Sequence, residues 1–222
     1  MPGVRVFLAK RDVKDAFRWV PMHESDVRIF GADLDGKHWG IPGRLVAIYL
    51  VLTFGWTGSP GEWMIWAWMC KSLHASRRPA DERWDDSVGF HSHFLMDDMV
   101  LVEPDLGTRP EQSGAAATGA ITKLLGPAAV NAEKDLEEGA MEVEKICWGL
   151  LYNTDKETIR MPPPKVEKAL HMLADPNLDY GRRDIDYKFL EQYRGNQQYW
   201  TIVMPAMMCT LNAADALLKG GR

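Results

Sequence analysis

Cysteine and long apolar runs are scarce in this chain. Its 222 residues include three cysteines, Cys70, Cys147 and Cys209, which are far apart and lack the spacing of metal ligands. Each lies in an apolar stretch, which predicts reduced core thiols in an intracellular protein. The apolar stretch 45–54 has only ten residues, too few to span a bilayer, so we expect no membrane partner. Residues 1–5 lead directly into a predicted strand, so no signal peptide is visible.

Positive charge is not in excess either. The chain has 26 Lys and Arg against 31 Asp and Glu, a formal net charge of −5. Non-specific binding to nucleic acid depends on neutralising phosphates, so this balance counts against it but leaves room for a locally basic cleft. Apolar residues make up 46% of the chain, with 9 Trp and 12 Met, which is enough for one core or two small subdomains.

Two adjacent carboxylates, Asp97 and Asp98, interrupt an apolar run over residues 94–102. Such a run predicts two short strands with the acids at the turn between them. Unpaired charge is costly to bury, so these acids must meet either water or cations. Asp is also common at hairpin turns for its turn geometry alone, and from the pair itself this plainer interpretation stays open.

A second acidic strand end lies upstream, where the alternating residues 4–11 predict a strand that ends next to Asp12. If the two strand ends lie side by side, Asp12, Asp97 and Asp98 converge on one point. Oxygen ligands of this kind suit Mg²⁺. A pair of such ions can activate an attacking oxygen and stabilise a leaving one in phosphoryl transfer.

The remaining pattern predicts an α+β protein with strands and helices first and helices last. A buried helix should begin after Ser59 as N-cap and Pro60 at its first position, because residues 63–70 are apolar on all sides. The other predicted elements are a helical turn at 15–18, strands at 27–32, 38–41 and 44–52, a helix at 110–125, a hairpin of 146–152 with 158–161, and helices at 165–173, 186–193 and 197–218 with a break at Pro205.

Several segments resemble, in order, the motifs of reverse transcriptases. Residues 12–21 resemble the first palm motif, an Asp followed by a turn, an aromatic residue and Val-Pro. Residues 52–60 resemble the second, a glycine-containing loop that enters a long helix through Ser-Pro, and 95–98 the third, an aromatic-x-Asp-Asp signature. Leu95 stands where the family usually has Tyr or Phe, and Thr53 where it has Pro.

Three later segments resemble the same family more weakly. Residues 130–134 are similar to its lysine-bearing fourth motif, 147–149 to its hydrophobic-Gly hairpin, and 190–205 to the segment after the palm in retrotransposon enzymes. The resemblance therefore covers nearly the whole chain.

The resemblance implies a reverse-transcriptase-like palm, an antiparallel sheet packed on helices. The palm would span residues 1–161, with a partial fingers segment inserted at about 20–58, and a helical thumb- or connection-like segment would span 162–222. We expect a fragment of a retroelement polyprotein, since the family's upstream fingers strands and ribonuclease H domain are missing from the sequence. Such a protein would be cytoplasmic, in a retroelement particle, or nuclear.

The resemblance also implies the site. Asp12, Asp97 and Asp98, with Val13, would hold two Mg²⁺ ions (Mn²⁺ being possible), and Lys134 would act on the departing pyrophosphate. Phe17 would lie under the sugar and exclude a 2′-OH. The other residues expected near the nucleotide are Val13, Lys14, Asp15, Ala16, Phe54, Gly55 and Met96. Those expected near an RNA or DNA template and a DNA primer are Gly58, Ser59, Pro60, Trp148 and Gly149.

Three functions are compatible with these features. The first is an RNA-directed DNA polymerase that transfers dNTP onto a primer 3′-OH. The second is a catalytically inactive retroelement remnant that binds nucleic acid or protein. The third, a Mg²⁺-dependent phosphohydrolase, leaves Phe17 and the loop 54–60 unexplained. Without the resemblance, Phe17 is a core residue, Lys134 a surface lysine and the glycine loop an ordinary strand-to-helix turn.

Overall fold

A computed structural model describes residues 3–80 and 87–220 of the chain. It is a mixed α+β structure with antiparallel sheets, and it divides into two compact units, Met1–Val143 and Glu144–Arg222. Within the described ranges, no helix is both long enough and apolar enough to cross a lipid bilayer.

The first unit contains five strands and four α-helices among its described residues, together with short 3₁₀ turns at Ala16–Trp19, Gly36–Trp39 and Pro127–Ala129. Its strands are β1 (Val6–Asp12), β2 (Gly31–Asp35), β3 (Arg44–Ile48), β4 (Ser92–Leu95) and β5 (Asp98–Pro104). Its helices are α1 (Glu24–Val27), α2 (Ser59–Ala75), α3 (Arg109–Leu125) and α4 (Ala132–Glu138).

The main sheet of the first unit has the order β1-β5-β4, with both pairs antiparallel. The predicted hairpin is confirmed, because β4 and β5 are joined by a tight turn that contains Asp97. The predicted first strand is confirmed as well, and it pairs with β5 so that Asp12 lies directly opposite Asp98. Directly opposed residues of an antiparallel pair point to the same face of a sheet. The two acidic strand ends therefore lie side by side.

Helices α2 and α3 pack on this sheet. The buried residues of α2 recur at helical spacing as one stripe, Trp63, Ala67, Cys70 and His74. The prediction that this helix is buried on all sides is wrong, since the side chain of Trp68 is 63% exposed. An all-apolar helix segment carries no information about which face meets the core, and here only one face does.

Three predicted details of the first unit are wrong for local reasons. The strand predicted at 27–32 begins only at Gly31, because α1, capped by the His23 side chain, extends to Val27 and a turn follows it. Residues 36–39 form a 3₁₀ turn instead of the predicted strand at 38–41, because the Asp35 side chain accepts a hydrogen bond from the Lys37 backbone (3.0 Å). The strand that pairs with β2 is therefore β3. The N-cap of α2 is Gly58 and not Ser59, whose hydroxyl donates to the Thr53 carbonyl (2.6 Å).

The second unit is a three-stranded meander followed by helices. Its strands, in the order β6-β7-β8, are β6 (Glu144–Cys147), β7 (Leu150–Asn153) and β8 (Thr158–Arg160). Its helices are α5 (Pro163–Leu173), α6 (Tyr187–Trp200) and α7 (Met208–Gly220). The predicted single strand 146–152 is split by a turn in which Trp148 and Gly149 have φ of 52° and 81°, the backbone of a two-residue hairpin loop.

Two further expectations about the second unit differ from the structure. Helix α6 continues to Trp200 because Tyr193 and Trp200 are both buried in one apolar cluster with Ala169. Cys209 is exposed, whereas Cys70 and Cys147 are buried as predicted. The compact units divide before the predicted boundary at 161–162, and the assignment of the two parts to palm and thumb stays a prediction.

A buried polar network joins α2, α3 and the sheet in the first unit. The ring of His74, which is 0% exposed, hydrogen-bonds to the hydroxyls of Ser92 and Ser113, both at 3.0 Å. Ser113 in turn donates to Glu103 (2.9 Å), and the same carboxylate is paired with Arg109. Buried polar groups cost little only when they are satisfied in this way.

The free energy of unfolding should fall in mild acid because of His74. Burial lowers the pKa of its imidazole to about 4, with smaller contributions from neighbouring cations. The unfolded chain binds a proton near pH 6.5 and the folded one does not, so stability is lost as pH falls below 6.5. Between pH 7 and 5 we expect a loss of about 2 kcal/mol from this group, measured by chemical denaturation.

His74→Gln should remove this part of the pH dependence, since glutamine does not titrate. His38→Gln, a change at an exposed histidine, should leave the dependence as it is. An equal loss in the parent protein and in His74→Gln would contradict the assignment.

Candidate active site

A cavity of about 620 Å³ opens beside the acidic end of β1 in the first unit. Most of the residues that the sequence analysis predicts for the site line it. They are Asp12, Val13, Lys14, Asp15, Ala16, Phe17, Phe54, Pro60, Met96, Asp97 and Lys134. Two further lining residues, Trp63 and Asn131, were not predicted as part of the site.

The other predicted residues lie outside the lining. Asp98 begins β5 opposite Asp12. Gly55 has a φ of 92°, which favours glycine, and a side chain at Gly58 would collide with the ring of Trp56. Ser59 is buried and holds the loop through its bond to Thr53. The turn of Trp148 and Gly149 belongs to the second unit.

Asp12 is the most restrained carboxylate of the site. Its side chain is 6% exposed, and each of its oxygens accepts a hydrogen bond. Oδ1 accepts from the Lys134 ammonium (2.7 Å) and Oδ2 from the Asn131 amide (2.8 Å). Asp12 is therefore held by two donors from the start of α4.

Helix α4 is attached to β1 by charge. Lys10 pairs with Glu138, and Arg11 pairs with Asp135 at 3.0 Å. Arg11 also donates to the Gly139 carbonyl just after the helix (3.0 Å). Burial lowers the pKa of Arg11, and the carboxylate of Asp135 acts against that shift. Three consecutive residues of β1, including Asp12, thus bind this one short helix.

The turn that carries Asp97 is fixed from two sides. Met96 has a φ of 54°, a left-handed conformation that costs a non-glycine residue of order 1 kcal/mol or more. The buried indole of Trp63 donates to the Met96 carbonyl (2.8 Å), and the Val13 amide donates to the Asp97 carbonyl (3.0 Å). These bonds hold the strained turn against the end of β1.

The three carboxylates interact electrostatically. Burial raises the pKa of the Asp98 carboxyl, and the negative charges of Asp97 and Asp12 raise it further. The cations Lys10 and Lys134 lower it only in part. The hydrogen bond to Asp12 raises the pKa of Lys134 above its ordinary value. At Asp98, the lowering effect of these two lysines on the pKa does not outweigh burial and the two neighbouring carboxylates.

This donor set fits Mg²⁺ in its chemistry, since hard carboxylate oxygens with excess negative charge are its usual protein ligands. Within residues 3–80 and 87–220, however, no group of three or more His, Cys, Asp or Glu is arranged to hold a metal ion. The carboxylate of Asp12 is instead bound by Lys134 and Asn131. In this arrangement the ammonium of Lys134 supplies the positive charge next to Asp12.

Two aromatic rings form the apolar side of the cavity. Phe17 and Phe54 have centroids 4.9 Å apart and rings tilted by 53°. Phe17 is only 8% exposed and belongs to the core, whereas Phe54 is 76% exposed. Phe17 is therefore a core residue whose side chain also lines the cavity, and its position under a sugar stays a prediction.

Sequence reasoning missed Asn131 and Trp63 as parts of this site. Asn131 lies three residues before Lys134 at a helix start, where Asn is a favoured N-cap, so its helix position was predictable. Its bond to Asp12, 119 positions away, had no sequence signal. Trp63 was assigned to the core, and nothing in an apolar run indicates what an indole N–H will meet.

A scan against models of known protein families finds no match to this sequence, and a search of curated proteins finds none either. Solved structures do resemble it, with 63 matching chains. One is the foamy viral protease-reverse transcriptase in complex with an RNA/DNA hybrid, with a TM-score of 0.58 and 12% sequence identity. The similarity covers 93% of this chain and 24% of that one, about a quarter of its length. At this identity the likeness concerns the fold alone.

Two substitutions in the site, one at a strand end and one on α4, should change stability in opposite directions in metal-free buffer. Asp98→Asn should raise the free energy of unfolding by roughly 0.5–1 kcal/mol, because it removes a partly buried charge that Asp97 and Asp12 repel. Lys134→Met should lower it by about 1 kcal/mol, because it leaves the buried Asp12 without its cation. The latter loss is moderate because Lys134 is half-exposed.

Both changes are measured by chemical denaturation with a chelator present. Lys123→Met, at an exposed lysine of α3, is the control for loss of a surface cation. Destabilisation by Asp98→Asn, or equal effects of the two lysine variants, would contradict the electrostatic description of the site.

Proposed function

We propose that this chain is a reverse-transcriptase-type nucleotidyltransferase, an RNA-directed DNA polymerase domain. One observation carries the proposal: Asp12, at the end of β1, and the Asp97-Asp98 pair, at the β4–β5 turn, come together beside a cavity that Lys134 and Phe17 also line. The similarity to the foamy viral protein supports a fold on which such a site could stand.

In this proposal the parts of the chain take the roles of a polymerase. The sheet β1-β5-β4 with α2 and α3 is the palm, and the segment of about 20–58 with β2 and β3 is the partial fingers. The helical segment 162–222 is the thumb-like part. The whole would be a portion of a longer retroelement polyprotein.

The acidic residues are proposed to hold the catalytic metals. Asp12, Asp97 and Asp98, with the backbone of Val13, would bind two Mg²⁺ ions. Bound Mg²⁺ would supply the charge that activates the primer 3′-OH and stabilises the leaving pyrophosphate. Lys134, like any lysine, is protonated at neutral pH, and its bond to Asp12 raises its pKa further. Its proposed role is to neutralise the pyrophosphate or to donate a proton to it.

The remaining cavity residues are proposed to orient the dNTP and the strands. Phe17 would lie against the sugar, with Phe54, Gly55 and Met96 around the nucleotide and the residues Lys14, Asp15 and Ala16 beside its phosphates. Gly58, Ser59 and Pro60 and the Trp148-Gly149 turn would lie near the template or the primer. An RNA or DNA template with a DNA primer is the proposed partner, and the foamy viral protein in complex with an RNA/DNA hybrid agrees with that choice.

A second candidate is an inactive remnant that binds nucleic acid or protein. The contact between Lys134 and Asp12, with no ready-made metal cluster in the described part of the chain, is the observation that favours it. The two candidates differ in whether a divalent cation can enter, so metal-dependent primer extension separates them.

Asp97→Asn should abolish polymerase activity while the fold persists. The substitution keeps the size of the side chain and removes one charge on which metal-assisted phosphoryl transfer depends, so we expect a loss of at least about 10²–10³-fold. The measurement is extension of a DNA primer on an RNA template with dNTP and Mg²⁺ or Mn²⁺, with circular dichroism for the fold.

Asp105→Asn is the matched control, because Asp105 follows the far end of β5 and makes an exposed ion pair with Arg5. It should extend primers as the parent does. Extension by Asp97→Asn at the parent rate would refute the assigned site. A parent protein that never extends primers, with either metal, would favour the inactive remnant.

Phe17→Ala should relax the choice between dNTP and rNTP. Removal of the ring opens space at the sugar, so incorporation of ribonucleotides relative to deoxyribonucleotides should rise at least about ten-fold. Because Phe17 belongs to the core, the variant should also lose roughly 3–5 kcal/mol of stability, and assays are best run at low temperature. Phe17→Tyr retains the ring and should retain the selectivity, and an unchanged ratio in Phe17→Ala would leave Phe17 a packing residue.

A further inference from the structure

We propose that Asn131 is a positioning residue of this site. With one side chain it orients the Asp12 carboxylate towards a divalent cation and caps the helix that brings Lys134 to the same carboxylate. The inference rests on the proposed function for the identity of the site, but its contacts are independent of any reaction.

Three hydrogen bonds join Asn131 to Asp12 and to Lys134. Its amide nitrogen Nδ2 donates to Asp12 Oδ2 at 2.8 Å, and its backbone N–H donates to the Asp12 carbonyl at 3.1 Å. Its oxygen Oδ1 accepts from the Lys134 backbone N–H at 3.4 Å, as an N-cap does. The same amide group therefore acts on the catalytic carboxylate with its nitrogen and on α4 with its oxygen.

The backbone around Asn131 is held by hydrogen bonds that do not involve its side chain. Val13 and Val130 form an antiparallel bridge, and the Lys14 amide donates to the Ala129 carbonyl (2.9 Å). The segment 129–131 thus continues the strand-like pairing alongside the end of β1. A side chain on a backbone held in this way loses little further entropy when it binds Asp12.

The two donors on Asp12 differ in what they do to its charge. Lys134 neutralises the carboxylate, whereas Asn131 orients it and leaves the negative charge in place. A carboxylate offers about four lone-pair positions, so the bond from Asn131 leaves room on Oδ2 for another partner. Outer groups that orient a ligand in this way commonly affect metal affinity by 10–100-fold when they are removed.

Capping and orientation can be separated by substitution. Serine is as good an N-cap as asparagine, but it has no amide to reach Asp12. Asn131→Ser should therefore keep the thermal stability of the metal-free chain close to that of the parent. Its Kd for Mn²⁺, measured by electron paramagnetic resonance on the full chain without dNTP or nucleic acid, should rise at least about ten-fold. Asn131→Ala should lose both affinity and stability.

The control is Asn196→Ser, which removes an amide that donates to a carbonyl within α6 of the second unit. It should leave the Kd for Mn²⁺ unchanged. A metal-free double-mutant cycle of Asn131→Ser with Asp12→Asn should show non-additive denaturation midpoints, because the two residues share a direct bond. Additive midpoints, an unchanged Kd in Asn131→Ser, or no binding of Mn²⁺ by the parent would each overturn the proposal.

The outcome also separates this proposal from the polymerase assignment. A chain that binds Mn²⁺ in an Asn131-dependent way but extends no primer would refute the assigned reaction and retain the positioning role. A chain that extends primers and binds Mn²⁺ equally well as Asn131→Ser would retain the reaction and refute the positioning role.

Discussion

The arrangement of the first unit depends on the charge pairing between the end of β1 and α4. Lys10, Arg11 and Asp12 follow one another on a strand and are met by Glu138, Asp135 and Lys134 on one short helix. Each cation on the strand faces an anion on the helix, and the one anion faces a cation. The side chains on β1 are the buried members of these pairs. Removal of a partner would therefore leave a buried charge unpaired, which costs more free energy than the loss of a surface ion pair. The pairing thus fixes where α4 lies and what Asp12 meets.

This pairing leaves the acidic strand ends only partly neutralised. Lys10 and Lys134 both act on Asp98, yet burial and the two neighbouring carboxylates still hold its pKa above the ordinary value. A cluster of this kind lowers stability, as groups that serve a site often do. The net charge of the chain is also negative, at −5. The overall charge of the protein therefore does not offset the repulsion among these carboxylates. A divalent cation would relieve it directly.

The parts that could be predicted from the sequence are those specified by local patterning. The β1 strand follows from its alternation, and the 94–102 hairpin follows from an apolar run that two acids interrupt. Their pairing, which unites Asp12 with Asp98, followed only from the family resemblance. The exposed face of α2, the 3₁₀ turn after Asp35 and the bond from Asn131 depend on side-chain partners that no pattern encodes.

Fold and site carry different weight in the functional conclusion. A match at 12% identity supports a fold, and folds of one kind host many functions as well as none. The site is more specific evidence for a function than the fold is. It contains a strained turn at Met96 and a partly desolvated carboxylate at Asp98, both of which reduce stability. A protein with no use for these groups would be more stable without them. The combination of a strained turn, a partly buried acid and a lysine within reach is therefore the observation that supports the proposed cation-dependent phosphoryl-transfer site.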